Sequence, residues 1–102
     1  MKVAVTYDNG NVLENFGNTK FFKVYDIENG ETQCTEIVSS MGANSYELAN
    51  MLAMMTVDAL ICGEIAENSI TELTDEGIVI YSGCCGDADE AVNALVCGNL
   101  SF

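Results

Sequence analysis

The chain has 102 residues, of which 49% are hydrophobic, and it sets sixteen acidic side chains against three lysines for a formal net charge of −13. That length suits one domain built on a single core, and no apolar run approaches the roughly 18–20 residues of a membrane-spanning helix. Lys2, Lys20 and Lys23 are the only cations, so neither nucleic acid nor an anionic membrane surface is expected as a partner. The charge itself serves solubility. No His, Arg, Trp or Pro is present, which removes every imidazole acid, base or metal ligand. The five cysteines are an odd count. Met1-Lys2-Val3-Ala4-Val5 leads straight into a strand pattern rather than a secretion signal. Both features predict reduced thiols and a cytoplasmic location.

Lys2 to Tyr7 reads as a buried Val-rich strand ending at the turn Asp8-Asn9-Gly10. An Asn- and Gly-rich loop runs on to Thr19, with room for a brief pairing over Val12 to Phe16. Lys20 to Glu28 is the second strand. Asn29-Gly30 is a strong hairpin signal, and Glu31 to Ser39 returns as an edge strand whose Glu31 and Glu36 resist pairing with other chains. Asn44-Ser45-Tyr46-Glu47 fits a capping box. It opens a helix with an apolar stripe at Leu48, Met51, Leu52 and Met55, and the group Met51, Met54 and Met55 reads as core filler.

Asp58 to Cys62 reads as a central parallel strand. Asn68 to Glu76 is a helix with Ile70 and Leu73 inward, closed by Gly77. Ile78 to Tyr81 is the last strand. Asp87 caps the last helix, with Glu90 completing its box and Ala88, Ala91, Val92, Leu95 and Val96 buried. The order β-β-β-α-β-α-β-α, with right-handed crossovers in its parallel half, predicts an α/β fold: a mixed five-stranded sheet with helices on its faces, as in ribonuclease H-like proteins.

Several stretches together resemble the dinitrogenase iron-molybdenum cofactor biosynthesis family, which includes NifX-type proteins and the carboxy-terminal domain of NifB. They are Met1 to Asp8, Asn15-Phe16-Gly17-Asn18-Thr19, Leu60-Ile61-Cys62-Gly63-Glu64-Ile65, Gly77 to Gly83, and Gly86-Asp87-Ala88-Asp89-Glu90-Ala91-Val92. Each is weak alone; their order and spacing carry the likeness over nearly the whole chain. The resemblance implies a ribonuclease H-like fold. It also implies a role in holding or passing an iron–sulfur or iron- and molybdenum-containing cluster, without catalysis by the domain. Cluster-assembly or acceptor proteins would be its partners. The family usually has a His-Phe-Gly-His loop and a further His before the first helix. Here Asn15, Asn18 and Asn44 stand at those places. A neutral amide oxygen is a poor ligand for softer metals, though it keeps its hydrogen-bonding capacity.

In open α/β sheets ligands bind beyond the carboxyl ends of the parallel strands, where strand order switches. The loops from Asp8 to Thr19, Gly42 to Ser45, Cys62 to Glu67 and Ser82 to Asp87 are expected to meet there, and helix amino-termini would offer free N–H groups. The cofactor-contacting set is therefore Asn15, Asn18, Asn44, Gly42, Gly63 and Gly86. Cys62, Cys84 and Cys85 fall at the same edge as candidate metal ligands, thiolates being soft donors. Taken singly, Cys62 also reads as a small buried residue and Asn44 as a plain helix cap. Cys34 and Cys97 read as structural. A nuclease reading fails, because Asp8 and Asp58 lie at opposite ends of their strands. Two readings stand: a cofactor or cluster carrier, favoured by the three thiols, and a divergent member without cofactor serving protein interaction or regulation, favoured by the three asparagines.

Overall fold

Strand β1 (Lys2–Asp8) is the centre of the sheet, and its alternation shows why: Val3 and Val5 point to one face, Ala4 and Thr6 to the other, and all four are buried. In this computed structural model, which describes residues 1–13, 16, 19–40 and 44–98, the elements follow in the expected order. They are β2 (Asn11–Val12), β3 (Phe21–Glu28), β4 (Glu31–Ser39), α1 (Ser45–Met54), β5 (Ala59–Ile61), α2 (Glu67–Asp75), β6 (Val79–Tyr81) and α3 (Ala88–Val96). Asn15, Asn18 and Gly42 lie outside the described residues.

The sheet runs β4-β3-β1-β5-β6, antiparallel from β4 to β1 and parallel from β1 to β6, in the ribonuclease H-like manner. The short β2 is a sixth strand, pairing Val12 with Tyr7 and Asn11 with Asp8. Two turns shape the antiparallel half. Asn9-Gly10 and Asn29-Gly30 all have positive φ, as two-residue hairpins require.

Each face has its own core. Leu48, Ala49 and Leu52 of α1 and Leu73 of α2 cover Ala4, Phe22, Val24, Leu60 and Cys62. On the opposite face Ala88, Ala91 and Val92 of α3 cover Val3, Val5, Tyr25, Ile27, Ala59 and Ile61. Burying each large aliphatic side chain is worth about 1.5–3 kcal/mol. The α1 capping box is complete: Glu47 N–H donates to Asn44 Oδ1 at 2.9 Å, and Asn44 N–H donates to Glu47 Oε1 at 3.1 Å. In α3 the Glu90 N–H donates to Asp87 Oδ1 at 3.1 Å. No helix among the described residues is long and apolar enough to cross a membrane.

Three expectations need correction. Ile70 is not inward but 38% exposed; α2 buries Ser69 and Leu73 instead, one turn apart, which rotates Ile70 to the rim beside the outermost strand. Met54 is 85% exposed rather than core filler, because only Met51 and Met55 of that group turn towards the sheet. Cys34 and Cys97 are both exposed and add nothing to the core.

Candidate functional site

The carboxyl ends of β1, β5 and β6 are parallel neighbours, and backbone hydrogen bonds stitch their loops together. Gly63 N–H donates to Leu13 O at 3.3 Å and Phe16 N–H to Glu64 O at 3.0 Å, joining the β1 and β5 loops. Gly83 N–H donates to Gly63 O at 2.8 Å and Cys84 N–H to Cys62 O at 3.0 Å, joining those of β5 and β6. Val12 N–H donates to Gly86 O at 2.8 Å, which closes the circuit back to β2. Three of the four expected loops therefore meet, and Gly63 and Gly86 lie within that circuit.

Between α2 and the ends of β5 and β6 lies a crevice of about 560 Å³, walled by Gly63, Glu64, Ile65, Ala66, Ser82 and Gly83 with Ile70 at its rim. Its volume is within the range of small-ligand sites. What sets it apart is the helix that opens onto it. Asn44 caps α1, and Asp87 caps α3, whose Ala88 N–H also donates to Gly10 O at 3.0 Å. The N-cap of α2 is Ala66, which has no side chain to accept from the first-turn amides. The amino-terminal end of α2, with Glu67 in its first turn, thus borders a cavity whose walls are Gly63, Glu64, Ile65, Ser82 and Gly83. Ala66 and Ser82 were not singled out by sequence reasoning. The available signal was the lack of Ser, Thr, Asp or Asn before Glu67.

The predicted thiols lie near one another but in different surroundings. Cys62 is fully buried in the α1/α2 layer, whereas Cys84 packs against the α3 layer, and Cys85 is exposed. Burial, and then the nearby Cys84, push the Cys62 thiol up to about 12. Burial, and then Cys85, also raise Cys84, whose Sγ donates to Tyr81 O at 3.6 Å. Both are thiols in the metal-free protein at neutral pH, so a metal binding there would have to displace their protons. Among the described residues no group of three or more His, Cys, Asp or Glu is placed to hold a metal ion. Asn44 Oδ1 is engaged as a helix cap. Lys20 flanks a smaller pocket of about 200 Å³ beside Tyr7, Asp8 and Leu13, and among the described residues Glu64 is the only charged one lining the large crevice.

Fold and site together define a small ribonuclease H-like α/β domain with a crevice at the ends of its parallel strands. Residues 1–98 match the family described as dinitrogenase iron-molybdenum cofactor, and the chain belongs to that family. It is 29% identical over 105 residues to the uncharacterized protein MJ0580 of Methanocaldococcus jannaschii, covering 98% of this chain and 89% of that protein. The crystal structure of MJ0327 from the same organism is 26% identical with a TM-score of 0.83, covering 99% of this chain and 92% of that one. The apo form of the orange protein from Desulfovibrio gigas shares the fold, with a TM-score of 0.86 at 24% identity over 99% of this chain and 91% of that one. Membership groups the chain with accessory proteins of cofactor biosynthesis rather than with enzymes.

Proposed function

We propose that the protein is a carrier or accessory protein of cofactor assembly. It would hold an anionic metal–sulfur cluster, or a precursor of one, as cargo in the crevice between α2 and the ends of β5 and β6. The observation that carries this reading is the start of α2 at Ala66, without a side-chain cap, bordering a cavity lined by Gly63, Glu64, Ile65, Ser82 and Gly83. Amide donors suit an anionic cluster carried in with its own inorganic ligands, against the opposing charges of Glu64 at the wall and Glu67 in the first turn. The three cysteines suit one less well, since Cys62 is buried in the α1/α2 layer, Cys84 packs against the α3 layer and Cys85 is exposed. Cys84 and Cys85 remain the thiols near enough to the surface to add a contact, and cluster-assembly or acceptor proteins are the partners this role calls for. A cytoplasmic single-domain protein fits the same reading.

The test is an Ala66→Asp variant. A carboxylate at this N-cap would occupy the first-turn amides and stabilise α2 by about 0.5–2 kcal/mol. Wild-type protein prepared without oxygen and supplied with ferrous iron, sulfide and molybdate should retain metal on desalting and show a charge-transfer band. The variant should be more stable yet retain much less. Cys84→Ser/Cys85→Ser should weaken retention only modestly. Loss of all metal in the double cysteine variant, with Ala66→Asp unaffected, would reverse the assignment in favour of thiol ligation. The second reading, an interaction module without cofactor, is favoured by Asn44 acting as a helix cap where the family usually carries His. Wild-type protein that retains no metal would support it.

A further inference from the structure

The two edges of the sheet are treated differently. The β4 edge carries Glu31 and Glu36 within the strand and is exposed on both faces over most of its length, so it has no walls. The β6 edge has no charge in Val79-Ile80-Tyr81, and a second hollow of about 500 Å³ runs beside it, lined by Ile70, Thr74, Ile78, Val79, Ile80 and Ser82. Ile70 and Val79 are 38% and 48% exposed there, on opposite sides of the sheet edge. Val79 N–H donates to Asp58 O, and Tyr81 O accepts from Cys62 N–H, so both residues direct their backbone to β5. By strand alternation Ile80 presents its N–H and C=O outward.

Charge specifies what would fit. No basic residue follows Lys23 in the sequence, while Glu64, Glu67, Glu72, Asp75 and Glu76 all belong to α2 or its flanks. A second copy would bring the same acids and the same −13 to the contact, which disfavours self-pairing.

We propose that the groove along β6 receives an extended apolar segment of a partner protein, flanked by basic residues and added to the sheet as a further strand. Main-chain bonds to Ile80 set its direction, Ile70 and Val79 cover its apolar side chains, and the acids of α2 meet its basic ends. The brevity of β6 limits the main-chain bonds to a few, so the groove walls supply most of the contact. The groove adjoins the crevice and shares Ile70 and Ser82 with it, whereas Val79 and Ile80 line the groove alone.

The probe is a fluorescein-labelled peptide of alternating valine and threonine with lysines at both ends, titrated with the whole protein at physiological salt and followed by anisotropy. Binding is expected, with amide shifts centred on Ile80 and the last turn of α2. Val79→Lys and Ile70→Asp should each weaken it by roughly ten-fold or more, as loss of a buried apolar contact in a binding site predicts. The same peptide methylated on alternate backbone nitrogens keeps its charge but cannot pair, and should not bind. Equal binding of the methylated peptide would mean charge attraction alone and overturn the proposal. Shifts centred on β4, or dimerisation of the protein through this groove without peptide, would overturn it too.

Discussion

At the residue scale, Cys62 and Tyr25 are buried groups kept in their neutral forms. Burial, and then the Asp89 hydrogen bond, raise the Tyr25 phenol well above its ordinary range. A group whose pKa is raised on folding stabilises the fold fully below its unfolded value and loses that contribution as pH rises towards the folded one. For Cys62 the window runs from 9.0 to about 12. Stability in urea titrations should therefore fall across that window, and less steeply in Cys62→Ala. Accessibility predicts the order of alkylation. Iodoacetamide at neutral pH should label Cys34, Cys85 and Cys97 readily, Cys84 slowly, and Cys62 only on unfolding. Mass spectrometry of the labelled protein checks it, and native labelling of Cys62 as fast as Cys85 would contradict the packing around β5.

At the scale of elements, α1 ends in a Schellman motif: Val57 N–H donates to Leu52 O and Thr56 N–H to Ala53 O, both at 3.0–3.1 Å. Thr56 occupies the left-handed position with φ 58°, where a β-branched residue is strained. Thr56→Gly should stabilise the protein by about 0.5–1 kcal/mol after the entropy lost from the unfolded chain is discounted. Thermal melts read this directly, and a loss of stability would mean that the Thr56 hydroxyl bond to Met55 O outweighs the strain. On the other face, Asp89 of α3 accepts from Tyr25 Oη at 2.5 Å and from Lys23 Nζ at 2.9 Å. The Tyr25 bond, and then Lys23, lower the Asp89 carboxyl. Its contribution is present above the ordinary carboxylate range and is lost as pH falls through the lowered value. Asp89→Ala strands the buried Tyr25 hydroxyl and should cost roughly 1–3 kcal/mol. Asp89→Asn keeps an acceptor and should cost less, which separates the hydrogen bond from the ion pair in denaturant titrations.

For the whole molecule, size and charge act together. The chain measures 31 × 24 × 24 Å, so at about 0.01 M salt, where screening reaches roughly 30 Å, every acid repels nearly every other. At about 0.15 M the range shrinks to roughly 8 Å and most of that repulsion disappears. Lys23–Asp89 is the ion pair among the described residues, too little to reverse the balance. The melting temperature should therefore rise over that salt range, as calorimetry would show; a fall would mean that attraction dominates the surface field.

The order of elements and both cores followed from local chemistry. Period-two Val and Ala in β1, Asn-Gly at two tight turns, and Leu48 and Leu52 one helical turn apart each demand one conformation almost whatever surrounds them. The site loops were legible for a related reason, since the ends of parallel strands must converge once the strand order is set. Side-chain direction at the rim was not. Cys62 and Cys84 lie either side of a sheet edge, so neighbouring backbones send their thiols into different layers. Ile70 faces outward because α2 turns it to the rim beside β6, the outermost strand among the described residues. Residue spacing establishes which positions share a face; only the packed sheet decides which face meets a neighbour and which is left open.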